Sequence, residues 1–438
     1  MKIFMGSSLT LTLLMSFSCG FMEKGLQLNE GITDNVDDIS AFNPTLERDY
    51  STILTQEKDI VKNAPTAQIN ALAFNIYDQL KDKENISYSP MSISMAVAMA
   101  YAGAGGETKK EMQETLGYGA DDAAVFSGYG NFSALLTHKN FENVKLTIAN
   151  ATWLAQGFEV LEGFQNKLKS AFSIKSISLD FKNEPQRSTD IINKSIAQQT
   201  NGKIDKLLKA PLDSASKMVL TNAIYFTGKW ENQFEEHNTS NAQFFAHNSE
   251  EISTDYMNQV AYFDYAEDEE KQVVQANYEG KEFSMVFVLP KQGHEDVFAK
   301  KMTNDDFAQM TNSLVSTKVD FKLPKFTQRF SPEVGQIMQN IGMKQAFDED
   351  LADFSAIETK EKLHISKIFH EAVVEVSEKG TTAAAATAII MEPATTSIGG
   401  PDVVEPPVEF YATRPFMYYM IHKATNAIIF MGKYDRPQ

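Results

Sequence analysis

The stretch Glu378–Pro401, EKGTTAAAATAIIMEPATTSIGGP, decides how the rest of the chain is read. It lies between two apolar runs of strand character, HEAVVEVS (His370–Ser377) and RPFMYYMI (Arg414–Ile421). From Gly380 to Ala388 it holds no charge, no ring and nothing larger than threonine. Alanine favours helices and is depleted in strands, so four in a row between two strands need a reason. In an extended segment alternate side chains share a face. Thr381, Ala383, Ala385 and Thr387 would then lie on one side, and Thr382, Ala384, Ala386 and Ala388 on the other. All are small enough to pass between packed strands, where a buried charge costs several kcal/mol and overpacking ~1–3 kcal/mol. Gly380 is a natural pivot, because glycine accepts backbone angles that other residues avoid. The plain alternative, an Ala/Thr-rich surface loop or short helix, is weakened by the flanking strands.

The wider composition bounds what such a segment can serve. The 438 residues carry a net charge of −18 and a pI near 4.9, which argues against nucleic acid or an anionic membrane surface as partner. A hydrophobic content of 43% with 11% aromatics is ample for a packed core. One cysteine excludes a disulfide framework or a thiolate metal cluster.

That cysteine sits at the end of MKIFMGSSLTLTLLMSFSCG, where a lone Lys2 precedes an apolar run and then small residues. The run is far shorter than the ~20 residues a bilayer span needs, so residues 1–19 read as a secretory signal. It resembles a bacterial lipoprotein signal in which Cys19 is acylated after cleavage, although Ser16 stands where leucine is usual. An ordinary signal with an incidental cysteine is the other reading. Residues 20–65 are rich in Asp, Glu and Asn without sustained periodicity, and are expected to form an acidic flexible tether.

Regular structure is expected from Thr66. AQINALAFNIYDQL places Ile69, Leu72, Ala73, Ile76, Tyr77 and Leu80 at helical spacing. NISYSPMSISMAVAMAYAGAGG starts as a strand, turns at Ser89–Pro90 and becomes a nearly all-apolar helix that must be buried. Strand signals follow at KLTIANATWLA, SKMVLTNAIYF, FSMVFVLP and KVDFKLPKF. Helices come early, strands late, and no βαβ rhythm repeats, which argues an α+β fold with mostly antiparallel sheets.

Nothing in the chain asks for catalysis. GAGG lacks the third glycine of a dinucleotide loop, since Thr108 occupies that place, and it follows a helix rather than a strand. The seven histidines contain no i,i+4 pair and no HExxH, and there is no GxSxG or SxxK. No enzyme activity, metal or cofactor is expected.

Five stretches in order resemble the serpin family. NISYSPMSISMAVAMAYAGAGGETKKEM is similar to its strand-to-buried-helix segment, and TNGKIDKLL (Thr200–Leu208) to a further family motif. TNAIYFTGKWENQF (Thr221–Phe234) resembles the strand ending at the family's tryptophan. HEAVVEVSEKGTTAAAATA resembles the strand and hinge of inhibitory members, and RPFMYYMIHKATNAIIFMGKY the C-terminal hairpin. Thr413 departs from the usual Asn or Gln, and the preceding loop is several residues longer than usual.

The resemblance implies a serpin domain over 66–438, with three β-sheets, eight to nine helices and an exposed reactive-centre loop at about 380–408. It also implies a suicide-substrate inhibitor of serine endopeptidases, with cysteine endopeptidases as further targets. The protease cuts the loop, the acyl-enzyme forms, and the loop inserts into the main sheet and drags the protease with it. About 14 inserted residues at ~3.3 Å each would carry the cut end about 50 Å. The hinge would run over Glu378, Gly380, Thr381, Thr382, Ala383, Ala384, Ala385, Ala386 and Thr387. Ser89, Ser92, Asn222 and His370 match the polar cluster where strands part, called the shutter. Trp230 and a Lys325–Glu378 pair would mark the top of the insertion path, the breach.

Counting along the hinge from Glu378 puts the reactive bond at Ala394–Thr395; counting back from the hairpin puts it near Asp402, because the loop is long. A small residue after Pro393 suits elastase-like or subtilisin-like proteases, and the absence of Arg and Lys from Gly380 to Glu409 gives trypsin-like enzymes no purchase. The expected partner is thus a serine protease in a covalent acyl complex. No polysaccharide cofactor is expected, contact with a membrane is expected only through an N-terminal lipid, and the protein should be a monomer. Export to the cell envelope or to the medium follows from the signal. A non-inhibitory serpin acting as a binding module is the alternative, although such members usually carry charged, bulky or proline residues in the hinge.

Overall fold

The computed structural model describes residues 50–138, 143–247, 250–381 and 406–438. Strands are numbered here in chain order. Hydrogen bonding joins β10 (Phe326–Phe330), β11 (Ile365–Ser377), β12 (Gly380–Thr381), β4 (Met218–Lys229), β2 (Val144–Ala155) and β3 (Ile177–Leu179) into one sheet, in that order. A second sheet runs β1 (Ile86–Tyr88), β15 (Ala427–Tyr434), β14 (Phe416–His422), β8 (Phe283–Pro290), β7 (Lys271–Asn277), β6 (Glu251–Glu267), β9 (Val315–Pro324) and β13 (Val408–Tyr411), with β5 (Ser240–Phe245) on β6.

The expected three sheets thus appear among the described residues as two bonded networks. The 17-residue β6 explains the merger: its first part pairs with β5, its last with β7, and β9 follows it across both. Ten α-helices are formed among the described residues. The first two, α1 (Ser51–Thr55) and α2 (Glu57–Lys62), fall inside the expected tether and correct its boundary. Ile53 and Ile60 are buried, and Tyr50 stacks on His138 with ring centroids 4.7 Å apart. Helices this short have no independent stability, so packing on another helix decides their existence, which local polarity could not reveal.

The next two helices follow the sequence closely. α3 covers Thr66–Leu80 and α4 Pro90–Tyr101. Ser89 caps α4, its hydroxyl accepting from the Ser92 N–H at 3.1 Å, and Pro90 occupies the first turn, where its missing N–H costs nothing. Every residue of α4 is buried, because the helix lies between the two sheets, packed against β15 on one side and β2 and β4 on the other.

The six-stranded sheet has one unusual feature. β11 and β4 run parallel and pair directly from Ile365–Met218 to Val373–Tyr225. Beyond that level they part, and β12 enters between them, Thr381 opposite Val376 on one side and Gly228 on the other. The strand that immediately follows β11 in sequence therefore starts down the gap beside it.

Candidate functional site

The seam between β11 and β4 is held on its inner face by a row of polar side chains. His370 lies opposite Asn222, and Asn222 opposite Asn150, so three adjacent strands carry a polar group at one level of an otherwise apolar face. The Ser89 N–H donates to His370 Nε2 at 3.1 Å. That nitrogen must then hold a lone pair, which places the ring proton on Nδ1, where it donates to Asn222 Oδ1. Asn222 Nδ2 donates to Asn150 Oδ1 at 2.6 Å and to Ser92 Oγ. Asn150 Nδ2 returns a bond to the Ser92 carbonyl at 3.2 Å, and the Ser89 hydroxyl donates to the Ile429 carbonyl at 2.6 Å. All five side chains are buried. Burial, partly countered by the Asn222 contact, pushes the His370 pKa down to about 3, as the neutral tautomer requires.

At the upper end the chain is fastened differently. Trp230 donates from its indole N–H to the Ser377 carbonyl and from its backbone N–H to the Lys379 carbonyl, both at 3.0 Å. Its ring stacks on Tyr278, centroids 4.4 Å apart at 14°. The Tyr278 hydroxyl meets the Thr381 hydroxyl at 2.7 Å, so Thr381 points inward and is buried. Lys325 Nζ lies 3.0 Å from Glu378 Oε1, which also accepts from Thr239 Oγ1 at 2.8 Å. Burial works to raise the Glu378 pKa, but bonds from its own backbone N–H, Thr239 and Lys325 outweigh it, and the net shift is downward. Gly380 sits at φ +143°, and a Cβ there would lie 1.9 Å from the Gly228 carbonyl oxygen. Only glycine fits between β11 and β4 at this point.

The structure thus brings Ser89, Ser92, Asn222 and His370 into one network and places Trp230, Lys325, Glu378, Gly380 and Thr381 together at the mouth of the gap. Thr382, Ala383, Ala384, Ala385, Ala386, Thr387, Ala394, Thr395 and Cys19 lie outside the described residues. Sequence reasoning missed Asn150, Tyr278, Thr239 and Gly228. Asn150 had a signal: it breaks the apolar inward parity of Leu146, Ile148 and Leu154 in β2. Tyr278 and Thr239 had none, since Tyr278 depends on a bridge to the distant Trp230 just past β7 and Thr239 on the place of the link before β5.

The sheet is thus closed below and parted above, where it pairs with Gly380–Thr381, the next stretch of its own chain. The serpin family model (serine protease inhibitor) matches residues 67–437. An uncharacterized serpin-like protein of Thermococcus kodakarensis is 31% identical over 394 residues, 89% of this chain and 90% of that one. Among solved structures, the thermophilic serpin tengpin in its native state superposes with a TM-score of 0.74 at 26% identity, covering 90% of this chain and 96% of its own. Human thyroxine-binding globulin complexed with thyroxine gives 0.76 at 27% identity, covering 86% and 99%. The chain belongs to the serpin family and has the α+β serpin fold. Members of this family generally inhibit proteases rather than catalyse reactions. Among the described residues no helix is long and apolar enough to cross a membrane.

Proposed function

We propose that the protein is a suicide-substrate inhibitor of serine endopeptidases, cut at Ala394–Thr395 and trapping the acyl-enzyme by drawing residues 382 onward into the gap between β11 and β4. The observation that carries this reading is the partial entry of Gly380–Thr381 between those strands, followed in the sequence by only small residues from Thr382 to Ala388. Thr381 faces inward, so Ala383, Ala385 and Thr387 inherit the inward positions of a continuing strand. The polar row of His370, Asn222 and Asn150 acts as the gate: a satisfied buried network holds the seam shut until the arriving strand replaces its pairing.

The residues around Ala394 favour an elastase-like or subtilisin-like target. Cys19 is the proposed acylation site of an exported, lipid-anchored form, which labelled fatty acid would reveal: label lost in Cys19→Ala supports it, and equal label in both forms refutes it. The inhibitory reading is tested by mixing the protein with pancreatic elastase or subtilisin. A complex that survives SDS supports it, and a cleaved band alone contradicts it. A binding module is the second reading, favoured by the likeness to human thyroxine-binding globulin; it predicts no covalent complex with any protease.

A further inference from the structure

At the foot of the β11–β4 seam the six-stranded sheet carries two lysines, Lys217 and Lys367. Lys217 stands just before β4, and its carbonyl accepts from the Ala155 N–H at 2.9 Å, which extends the β2–β4 ladder past Leu154–Met218. Lys367 lies on β11, opposite Val219. Lys217 is five residues before Asn222 and Lys367 three before His370. Odd spacings along a strand turn a side chain to the other face, so both lysines point away from the inner polar row. Lys217 Nζ lies 5.8 Å from the ring centroid of Phe158, and Lys367 Nζ 5.9 Å from that of Phe369. Neither ammonium pairs with a carboxylate among the described residues. At the upper end of the seam, by contrast, Lys325 already has Glu378.

The entering strand carries a register. Gly380 and Thr381 lie opposite Lys229 and Gly228 on β4, and opposite Ser377 and Val376 on β11. Continued residue by residue, the same pairing brings Glu392 opposite Lys217 on one side and Ile365 on the other, with Lys367 diagonal to it. Thr381 points inward, so Glu392, an odd number of residues later, would point outward, to the face of the two lysines. Side chains directly opposite have Cβ atoms about 5 Å apart and diagonal ones about 7–8 Å, both within reach of a lysine's four-carbon stem. Glu392 is the only charged residue between Lys379 and Asp402. Pro393 follows it, without an N–H to give to a ladder, and would come opposite Ser216 and His364, outside both strands. Regular pairing of the inserted strand therefore ends at Glu392.

We infer that Lys217 and Lys367 are the receiving site for the Glu392 carboxylate, an ion-pair latch that forms only when the loop has inserted to its full length and that pins the end of the new strand at the foot of the sheet. This rests on the inhibitory reading. The latch adds stability to the cleaved, inserted form alone. Ala394, whose carbonyl carbon holds the acyl bond in the proposed complex, comes two residues after Glu392, so a pinned Glu392 limits the freedom of the trapped protease. The three are positioning residues: none of them touches the reacting atoms.

The test uses the full chain, intact and nicked after Ala394, with the nick located by mass spectrometry in every variant. A carbodiimide, which joins a carboxylate directly to an amine with loss of water, should link Glu392 to Lys217 or Lys367 in the nicked form and to neither in the intact form. Glu392→Gln, and separately Lys217→Gln with Lys367→Gln, should each lower the melting temperature of the nicked form by about 1–2 °C, the worth of one partly exposed ion pair. The intact form should melt unchanged in both, whereas a merely structural role of the lysines would lower it. All three substitutions together should cost no more than the lysine pair alone, and Glu392→Lys combined with Lys217→Glu and Lys367→Glu should restore wild-type melting. A nicked form that melts above the intact one yet gives no such cross-link, or shows additive losses, overturns the latch. If nicked wild type melts no higher than intact, the inhibitory reading has failed, a result distinguishable from failure of the latch.

Discussion

His370 is neutral because Ser89 offers it an N–H and Asn222 an acceptor, and because no water reaches the ring to hydrate a charge. Its folded pKa of about 3 lies below the ordinary histidine value of 6.5, so between those values the unfolded chain binds a proton that the folded chain does not. Stability from this residue is complete above pH 6.5 and falls as pH drops toward 3. At pH 5 the loss is about 2 kcal/mol. Urea unfolding at pH 7.5 and pH 5 should show it, and His370→Gln should remove that share of the pH dependence while lowering stability at pH 7.5. An unchanged dependence in the variant would contradict the assignment. Removing one partner from the row is costly because the others stay buried: Asn222→Ala should destabilise by about 1–3 kcal/mol. Lys325→Ala should cost less, about 1 kcal/mol, since Lys325 is 40% exposed and Glu378 keeps Thr239.

The elements were largely legible because each carried its own period. The all-buried α4, the strands flanking the Ala/Thr run and the C-terminal hairpin could be placed from spacing and punctuation alone. The merger of sheets through β6 could not, since nothing in a sequence says that one strand serves two neighbours in turn. The site divided in the same way. His370, Asn222 and the two serines were reached through the family resemblance, whereas Asn150 depended on cross-strand register. At this scale the hinge makes two predictions. Gly380→Ala forces a Cβ onto the Gly228 carbonyl, so β12 should be expelled and inhibition should shift toward turnover, read as more inhibitor consumed per protease trapped. Ala385→Arg, at an inward position, should convert the protein into a substrate, whereas Ala384→Arg, facing out, should retain complex on SDS gels. Equal behaviour of the two variants would refute the parity.

The whole molecule is a serpin whose main sheet is closed below by a buried polar row and open above, where Gly380–Thr381 enters it. The described residues from Tyr50 onward fall within one compact unit, Asp38–Gln438, so opening the seam is a displacement within a single core rather than between domains. Interiors packed at native density switch between discrete arrangements rather than deforming smoothly, so under the proposed mechanism a cut in a surface loop would change the stability of the entire fold. The central claim is that the uncut protein is the less stable arrangement. Calorimetry on intact protein and on protein nicked near Ala394 tests it most directly. The nicked form should melt at least ~10 °C higher; a nicked form that melts at or below the intact one would contradict the account.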